Sequence, residues 1–308
     1  MSLAEELSRD FNTGAVKYHA NKEIKAQIRL SVRGENVYIV ATGSTYAGRS
    51  VNDHLMEVLV LADACKRSSA KSITAVIPCF PYARSDKKDD GRCAIGAKLV
   101  SDLLTTAGVT RIVSVDLHSG QIQGFSSVPF DNLYAVKIFT EYIVGQNMND
   151  GEKYMLVSPD SGGAKRVNEY ARRLGMKQAI MCKQRDYTAE SKVDKTTLVS
   201  GGDIEGKTAI IVDDMVDTCG TMISACEELQ KFGAVGCIIV ATHGVLSGPA
   251  ADRINACGFI KKVVVTDSLP QDENKRACEK LVVLSLAPLL ENVMNRLESG
   301  LSISALFA

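Results

Sequence analysis

An α/β protein built on parallel sheets is predicted by three features of the sequence. Short β-branched runs are apolar at nearly every position, amphipathic stretches at helical spacing separate them, and carboxylates cluster where one such run ends. A strand apolar throughout must be covered on both faces, which is the situation of strands whose connections are helices. Alternation of strand and helix then implies right-handed crossovers and a parallel sheet.

Taken along the chain, VYIVAT (37–42), SITAVIP (72–78), RIVSVD (111–116), YMLVSPD (154–160), QAIMCK (178–183), AIIVDD (209–214), GCIIVAT (236–242) and KKVVVTD (261–267) are the expected strands. Between them, 162–175 reads as a helix with Ala164, Val167, Ala171 and Leu174 on its apolar stripe. Lys165, Arg166, Glu169, Arg172 and Arg173 occupy its other face. In 219–232, Met222, Cys226 and Leu229 recur at helical spacing, and Gly233 supplies a C-terminal stop.

A chain of 308 residues has room for two domains. The polar, turn-rich GQNMNDGEK (145–153) is the expected boundary, giving a first domain over 1–147 and a second over 148–308. IVSVDLHSGQ and IIVDDMVDTCG are each an apolar strand, an acid and a loop, a coarse echo expected of two related α/β halves. Thirty-six basic and thirty-six acidic side chains cancel, so overall charge points to neither nucleic acid nor membrane. Nine cysteines without a C-x-x-C pair argue against a disulfide framework or zinc site and for a reducing compartment. No apolar run is long enough to span a bilayer, and the opening residues lack the apolar core of a signal peptide. The expected location is the cytoplasm.

The densest signal is IVDDMVDTCGT (211–221). Ligands of open parallel sheets sit beyond the carboxyl ends of strands, where Asp213 and Asp214 fall. Adjacent side chains on an extended segment point opposite ways, so one carboxylate can face a ligand while the other holds a loop. Carboxylates accept paired hydrogen bonds and suit ribose hydroxyls. Thr218, Cys219, Gly220 and Thr221 then open a helix, whose free N–H groups and two hydroxyls suit a phosphate. A single Asp–Thr pair would ordinarily be a helix cap; the whole string of strand, two acids, loop, glycine and threonine is more than a cap needs.

These residues carry a resemblance. AIIVDDMVDTCGT resembles the phosphoribosyl-diphosphate binding motif of type I phosphoribosyltransferase folds. With Cys219 it is closer to the ribose-phosphate pyrophosphokinase (phosphoribosyl-diphosphate synthetase) family than to the transferases. AVIPCFPYARSDKKD (75–89), VDLHSGQIQGF (115–125) and VSPDSGGAKR (157–166) agree, and the likeness runs from SVRGENVYIV (31–40) to SISALF (302–307). It implies two type I phosphoribosyltransferase-like domains and a C-terminal tail that docks back on the first. The implied activity is transfer of the pyrophosphoryl group of ATP to ribose 5-phosphate. It also implies a homo-oligomer, dimer-based and extending to a hexamer.

Residue by residue, the resemblance implies that Asp213, Asp214 and Asp217 hold the ribose and that Thr218, Cys219, Gly220 and Thr221 hold its phosphate. His118 and Asp160 share Mg²⁺ with ATP phosphates, and Gln121 and Gln123 orient loops. Arg84 contacts the ATP base, with Lys87 and Asp89 near the nucleotide; on charge alone, the run from Arg84 to Arg92 is as readily a solvated face. Asn21 and Glu23 of YHANKE contact adenine in a neighbouring subunit, although His19 replaces the usual Phe. Lys183 and Arg185 are the catalytic cations; read without the resemblance, CKQRDYTAES is equally an exposed hairpin tip. Ser31, Arg33, Arg92, Ser302, Ser304 and Phe307 line an allosteric phosphate site between subunits, with Asp90 and Gly91 departing from the more basic vertebrate pattern nearby. Relative to the family the chain opens inside its first helix, and 41–54 is a few positions longer. A phosphoribosyltransferase would need no ATP loop, and a non-catalytic regulatory subunit would be expected to lose the cationic loop; both YARSDKKDDGR and Lys183–Arg185 stand.

Overall fold

The computed structural model describes residues 16–185, 194–200 and 202–306. The chain forms two compact units, the first comprising residues up to Tyr134 together with Ser268–Pro270 and the segment from Ser285 onward.

In the first unit, β1 (Val16–Tyr18) and β2 (Ile24–Ala26) form an antiparallel hairpin. β3 (Asn36–Val40), β4 (Ser72–Val76), β5 (Arg111–Val115) and β6 (Phe130–Leu133) form a parallel sheet in that order. The helix Val51–Arg67 begins at a capping box in which Ser50 and Asp53 satisfy each other's backbone amides, and it ends with Lys66 and Arg67 against the negative end of its dipole. Val58, Ala62 and Cys65 of that helix and Ala97, Val100 and Leu104 of the helix Gly96–Ala107 bury the sheet residues Ile73, Ala75 and Ile112. The helix Ala287–Glu298 ties to β3 through Asn36, which donates to Glu298 (2.9 Å).

The second unit carries β7 (Tyr154–Ser158), β8 (Gln178–Arg185), β9 (Asp194–Ser200), β10 (Thr208–Val216), β11 (Gly236–Gly244), β12 (Ile260–Thr266) and β13 (Leu281–Leu284). Their spatial order is β13-β12-β11-β10-β7-β8-β9, parallel except for the β8–β9 hairpin. All nine residues of β11 are buried. On β10, Ala209 and Ile211 are buried, as are Ile210 and Val212 on the opposite face, which is why the middle of each run is apolar at consecutive positions. The helix Gly220–Lys231 covers one face with Met222, Ala225, Cys226 and Leu229.

Each of the eight expected strands is present and parallel to a neighbour. The chain first passes between units at Tyr134–Ala135 and returns to the first for good at Ser285, so the expected 147/148 division falls inside the second unit. The helix Val136–Gly145 sides with that unit because Phe139, fully buried, packs its ring 6.4 Å from that of Tyr170. The polar stretch that follows is a turn into β7, closed by Asp150, which accepts from the Glu152 amide (2.9 Å).

Candidate active site

The order of the seven strands contains one reversal. From β7 the chain builds outward through β8 and β9; it then returns to β7's other side with β10 and builds the opposite way. The crevice beyond the carboxyl ends of β7 and β10 is therefore the topological switch point, where open α/β sheets bind ligands. Asp160 follows β7, and Asp213 and Asp214 lie on the last turns of β10.

Asp213 and Asp214 do not diverge as a regular strand would have them. Arg166 Nη1, from the helix Ala164–Leu174, lies 3.4 Å from Oδ1 of each. Asp213 is 21% exposed and Asp214 only 7%. Asp213 Oδ1 also accepts from the Asp214 amide (2.8 Å). Burial, and then the neighbouring Asp214 carboxylate, push Asp213 up to about 8, with Arg166 pulling the other way.

Beyond the acids the backbone turns sharply. Cys219 adopts a left-handed conformation (φ 64°) immediately before the helix Gly220–Lys231, and no side chain caps that helix. Its first-turn N–H groups present the positive end of the dipole beside the exposed Thr218 and Thr221. Arg253 Nη1 donates to the Thr218 carbonyl (2.8 Å), and the Leu246 amide to that of Val216 (3.0 Å), pinning the turn from below. The Cys219 thiol is buried and raised to about 11, first by desolvation. Cys219 therefore contributes backbone shape to this loop, not a reactive thiolate.

Across from these, Asp160 is exposed and accepts from the Gly163 amide through Oδ1 (2.9 Å), while Ser158 donates to its carbonyl (2.7 Å). Asp160 thus closes the turn that leads into the helix carrying Arg166. Arg166 was expected on the solvent face of that helix; it is 22% exposed because it sits one turn before Tyr170, which is buried, and i and i+4 share a face. Neither Arg166 nor Arg253 stood out in the sequence. In sequence nothing marks Tyr170 as buried, so nothing singled out the first, and the short Ala250–Ala256 helix gave no signal for the second.

In the first unit, β5 ends at Val115, and Asp116 turns into left-handed backbone (φ 42°). A regular pleat would set Asp116 and His118, two positions apart, on one side; it is broken there, with Asp116 buried and His118 exposed. The Leu117 amide donates to Asn132 Oδ1 (3.0 Å), holding the turn. Ser119 donates to Gln121 Oε1 (2.7 Å) and Gln123 to the Gly120 carbonyl (3.0 Å), so both glutamines serve the loop itself. Arg84, Lys87 and Asp89 are exposed, with Lys87 and Asp89 paired at 3.3 Å. Their loop is anchored by Ser85, whose Oγ accepts from the Gly96 amide (3.0 Å). Its base is tight: a Cβ on Gly43 would lie 1.8 Å from the Cys79 carbonyl oxygen. Asn21 and Glu23 occupy the exposed tip of the β1–β2 hairpin, where the Glu23 amide donates to Asn21 Oδ1 (3.2 Å).

Ser31, Arg33, Arg92, Ser302 and Ser304 are all exposed residues of the first unit. Arg33 donates to Ser69 Oγ (3.2 Å) and Arg296 to the Ser302 carbonyl (2.8 Å); Phe307 lies outside the described residues. Lys183 and Arg185 have their backbone on β8, in register with Thr196 and Asp194; their side chains, and residues 186–193, lie outside the described residues. The expected tip is thus preceded by a longer strand than the apolar run suggested.

Among the described residues no three His, Cys, Asp or Glu side chains gather to hold a metal. His118 and Asp160 offer one imidazole and one carboxylate, both exposed. Each is of the donor type that Mg²⁺ accepts when it keeps most of its shell as water and phosphate oxygen.

Comparison with known proteins identifies the family. Residues 1–108 match the N-terminal domain of ribose phosphate pyrophosphokinase, and residues 177–308 the phosphoribosyl synthetase-associated domain. The phosphoribosylpyrophosphate synthetase of Mycobacterium smegmatis is 43% identical, with 97% of this chain and 94% of that chain covered and a TM-score of 0.86. A purine phosphoribosyltransferase of Pyrococcus horikoshii (20% identity, 37% and 75% covered, TM-score 0.30) and an adenine phosphoribosyltransferase of Leishmania tarentolae (18%, 44% and 73%, 0.32) are similar over smaller parts. The full-length match, at this identity, places the chain in the ribose-phosphate pyrophosphokinase family.

Proposed function

We propose that the chain transfers the pyrophosphoryl group of ATP to the anomeric hydroxyl of ribose 5-phosphate, giving 5-phosphoribosyl 1-diphosphate and AMP. The observation that carries this is the second unit's switch point. Two adjacent carboxylates end one strand, and a left-handed turn leads from them into an uncapped helix N-terminus. Hydroxyls suit the first part and a phosphate the second. A regulatory subunit without activity is the less favoured reading.

In the reaction, Asp213, Asp214 and Asp217 hold the ribose hydroxyls, and Thr218, Cys219, Gly220 and Thr221 hold the 5-phosphate through backbone amides and the two threonine hydroxyls. The anomeric oxygen attacks the β-phosphorus of ATP. Its bond to phosphorus forms as the bond from that phosphorus to the oxygen bridging the α- and β-phosphates breaks, and AMP leaves with that oxygen. The proton of the attacking hydroxyl passes to solvent. Such a transfer needs alignment and charge neutralisation more than covalent participation. Arg84, Lys87 and Asp89, with Asn21 and Glu23, are assigned to the nucleotide. His118 and Asp160 are assigned as ligands of Mg²⁺, which when bound neutralises ATP phosphate charge. Lys183 and Arg185 stabilise charge developing on the transferred group. Ser31, Arg33, Arg92, Ser302, Ser304 and Phe307 are assigned to a regulatory phosphate site of a dimer-based homo-oligomer, and the nine cysteines, free where described, suit a reducing cytoplasm.

The test is direct. Protein, Mg²⁺ and ATP should yield AMP only when ribose 5-phosphate is added. AMP released without the sugar phosphate, or none with it, overturns the proposal.

A further inference from the structure

We propose that Arg166 is a positioning residue for the sugar: its guanidinium, bridging Asp213 and Asp214, fixes the two carboxylates in the paired arrangement that accepts the ribose hydroxyls. The inference rests on the reading that ribose 5-phosphate is the sugar bound there.

The geometry is specific. One nitrogen of Arg166 stands at 3.4 Å from an oxygen of each carboxylate, so it is the shared neighbour of both. All three side chains are mostly covered, at 22%, 21% and 7% exposure. In so dry a pocket two adjacent carboxylates repel strongly. Unopposed, they relieve that repulsion by turning apart or by retaining a proton, and either change removes acceptors from the side facing a sugar. Burial and Asp214 already drive Asp213 towards holding its proton, and Arg166 is the cation that works against this.

The arginine is itself held. Its helix starts at Gly163, whose amide donates to Asp160 Oδ1, and one turn on from Arg166 the buried Tyr170 locks the same face against Phe139. The three groups belong to two elements, β10 and the helix Ala164–Leu174, that flank the β7–β10 crevice. Arg166 also differs from the phosphate-binding part of the site, which Arg253 supports from another helix. Arg166 should therefore affect the sugar hydroxyl contacts and leave nucleotide binding alone.

The experiment uses the full chain and three variants, Arg166→Lys, Arg166→Gln and Arg166→Ala. Ribose 5-phosphate binding is titrated by calorimetry, and kcat and both KM values are measured with Mg²⁺–ATP. Removing a hydrogen bond to a charged group is worth about a tenfold or greater change in affinity. The expected result is a Kd and KM for ribose 5-phosphate raised about tenfold or more in Arg166→Gln, with the KM for ATP within about twofold of wild type. Arg166→Lys, which keeps a cation able to lie between two carboxylates, should recover most of that loss. Should Arg166→Ala fail to fold, the Lys and Gln pair decides. Unchanged ribose 5-phosphate affinity in Arg166→Gln overturns the inference, as does equal damage in Arg166→Lys and Arg166→Gln with the KM for ATP rising in parallel. Wild-type protein that neither binds ribose 5-phosphate nor forms AMP overturns the functional reading as well, which separates the two failures.

Discussion

Replacing Asp213 by Asn should stabilise the unliganded protein while disabling it, and the gain should grow with pH. The amide is nearly isosteric, and its oxygen can still accept from the Asp214 amide as Asp213 Oδ1 does at 2.8 Å. What changes is charge. Asp213 is raised from 3.8 to about 8, first by burial and then by Asp214. The folded chain therefore binds this proton more tightly than the unfolded chain. Between about pH 4 and pH 8 the folded state carries the extra proton, so stability falls as pH rises through that window and is unaffected by this group below it. Each tenfold change in proton affinity is about 1.4 kcal/mol, which sets a ceiling of roughly 6 kcal/mol above pH 8. The side chain is 21% exposed and shares its burial with Asp214, which brings the expected gain to about 1–3 kcal/mol at pH 8, in line with relieving a buried, poorly compensated charge. Urea denaturation of wild type and Asp213→Asn at pH 4.5, 6, 7 and 8 measures it. A variant less stable than wild type at pH 8, or a difference that does not widen between pH 5 and pH 8, would show that Asp213 is not a buried, poorly compensated acid.

Two further outcomes follow from the same site and its surroundings. Lys183→Ala combined with Arg185→Ala should reduce turnover severely, each lost cation costing about 3–4 kcal/mol or roughly 100–1,000-fold, while ribose 5-phosphate titration stays close to wild type; near-normal single-turnover rates would remove both from the mechanism. Gly43→Ala places a methyl 1.8 Å from the Cys79 carbonyl oxygen, so backbone must shift at the base of the nucleotide loop. A loss of about 1–3 kcal/mol in urea unfolding together with a raised KM for ATP is expected, and an unchanged midpoint would show that the contact is not tight.

Much of this arrangement was legible in the sequence, and the exceptions have physical reasons. The strands buried on both faces announce themselves, since no charged residue stands along GCIIVAT or AIIV. Edge strands announce themselves less reliably. In β6, FDNL, only Phe130 and Leu133 are apolar and Asp131 pairs with Arg111; β9, DKTTLVS, is outermost in the other sheet and is mostly polar. Turn-rich polarity at 145–153 marked a turn, because loop polarity records solvation and not which unit a neighbouring helix packs against. The two acids and the loop after them were visible because such a charge density at the end of an apolar run has few bland explanations. Arg166 was not visible. A cation that leans inward from the edge of a helix stripe is indistinguishable in sequence from one that leans outward, and only the carboxylates it meets, 47 and 48 positions away, decide the matter. The same limit applied to His118, where one residue of left-handed backbone at Asp116 cancelled the alternation assumed for an extended strand.

A crystal structure of the protein with ribose 5-phosphate measures directly where the sugar phosphate sits. The sugar hydroxyls are predicted within hydrogen-bond reach of Asp213 and Asp214, and the phosphate against the Thr218–Thr221 turn. Density for ribose 5-phosphate elsewhere, with these residues contacting only water, would contradict this placement.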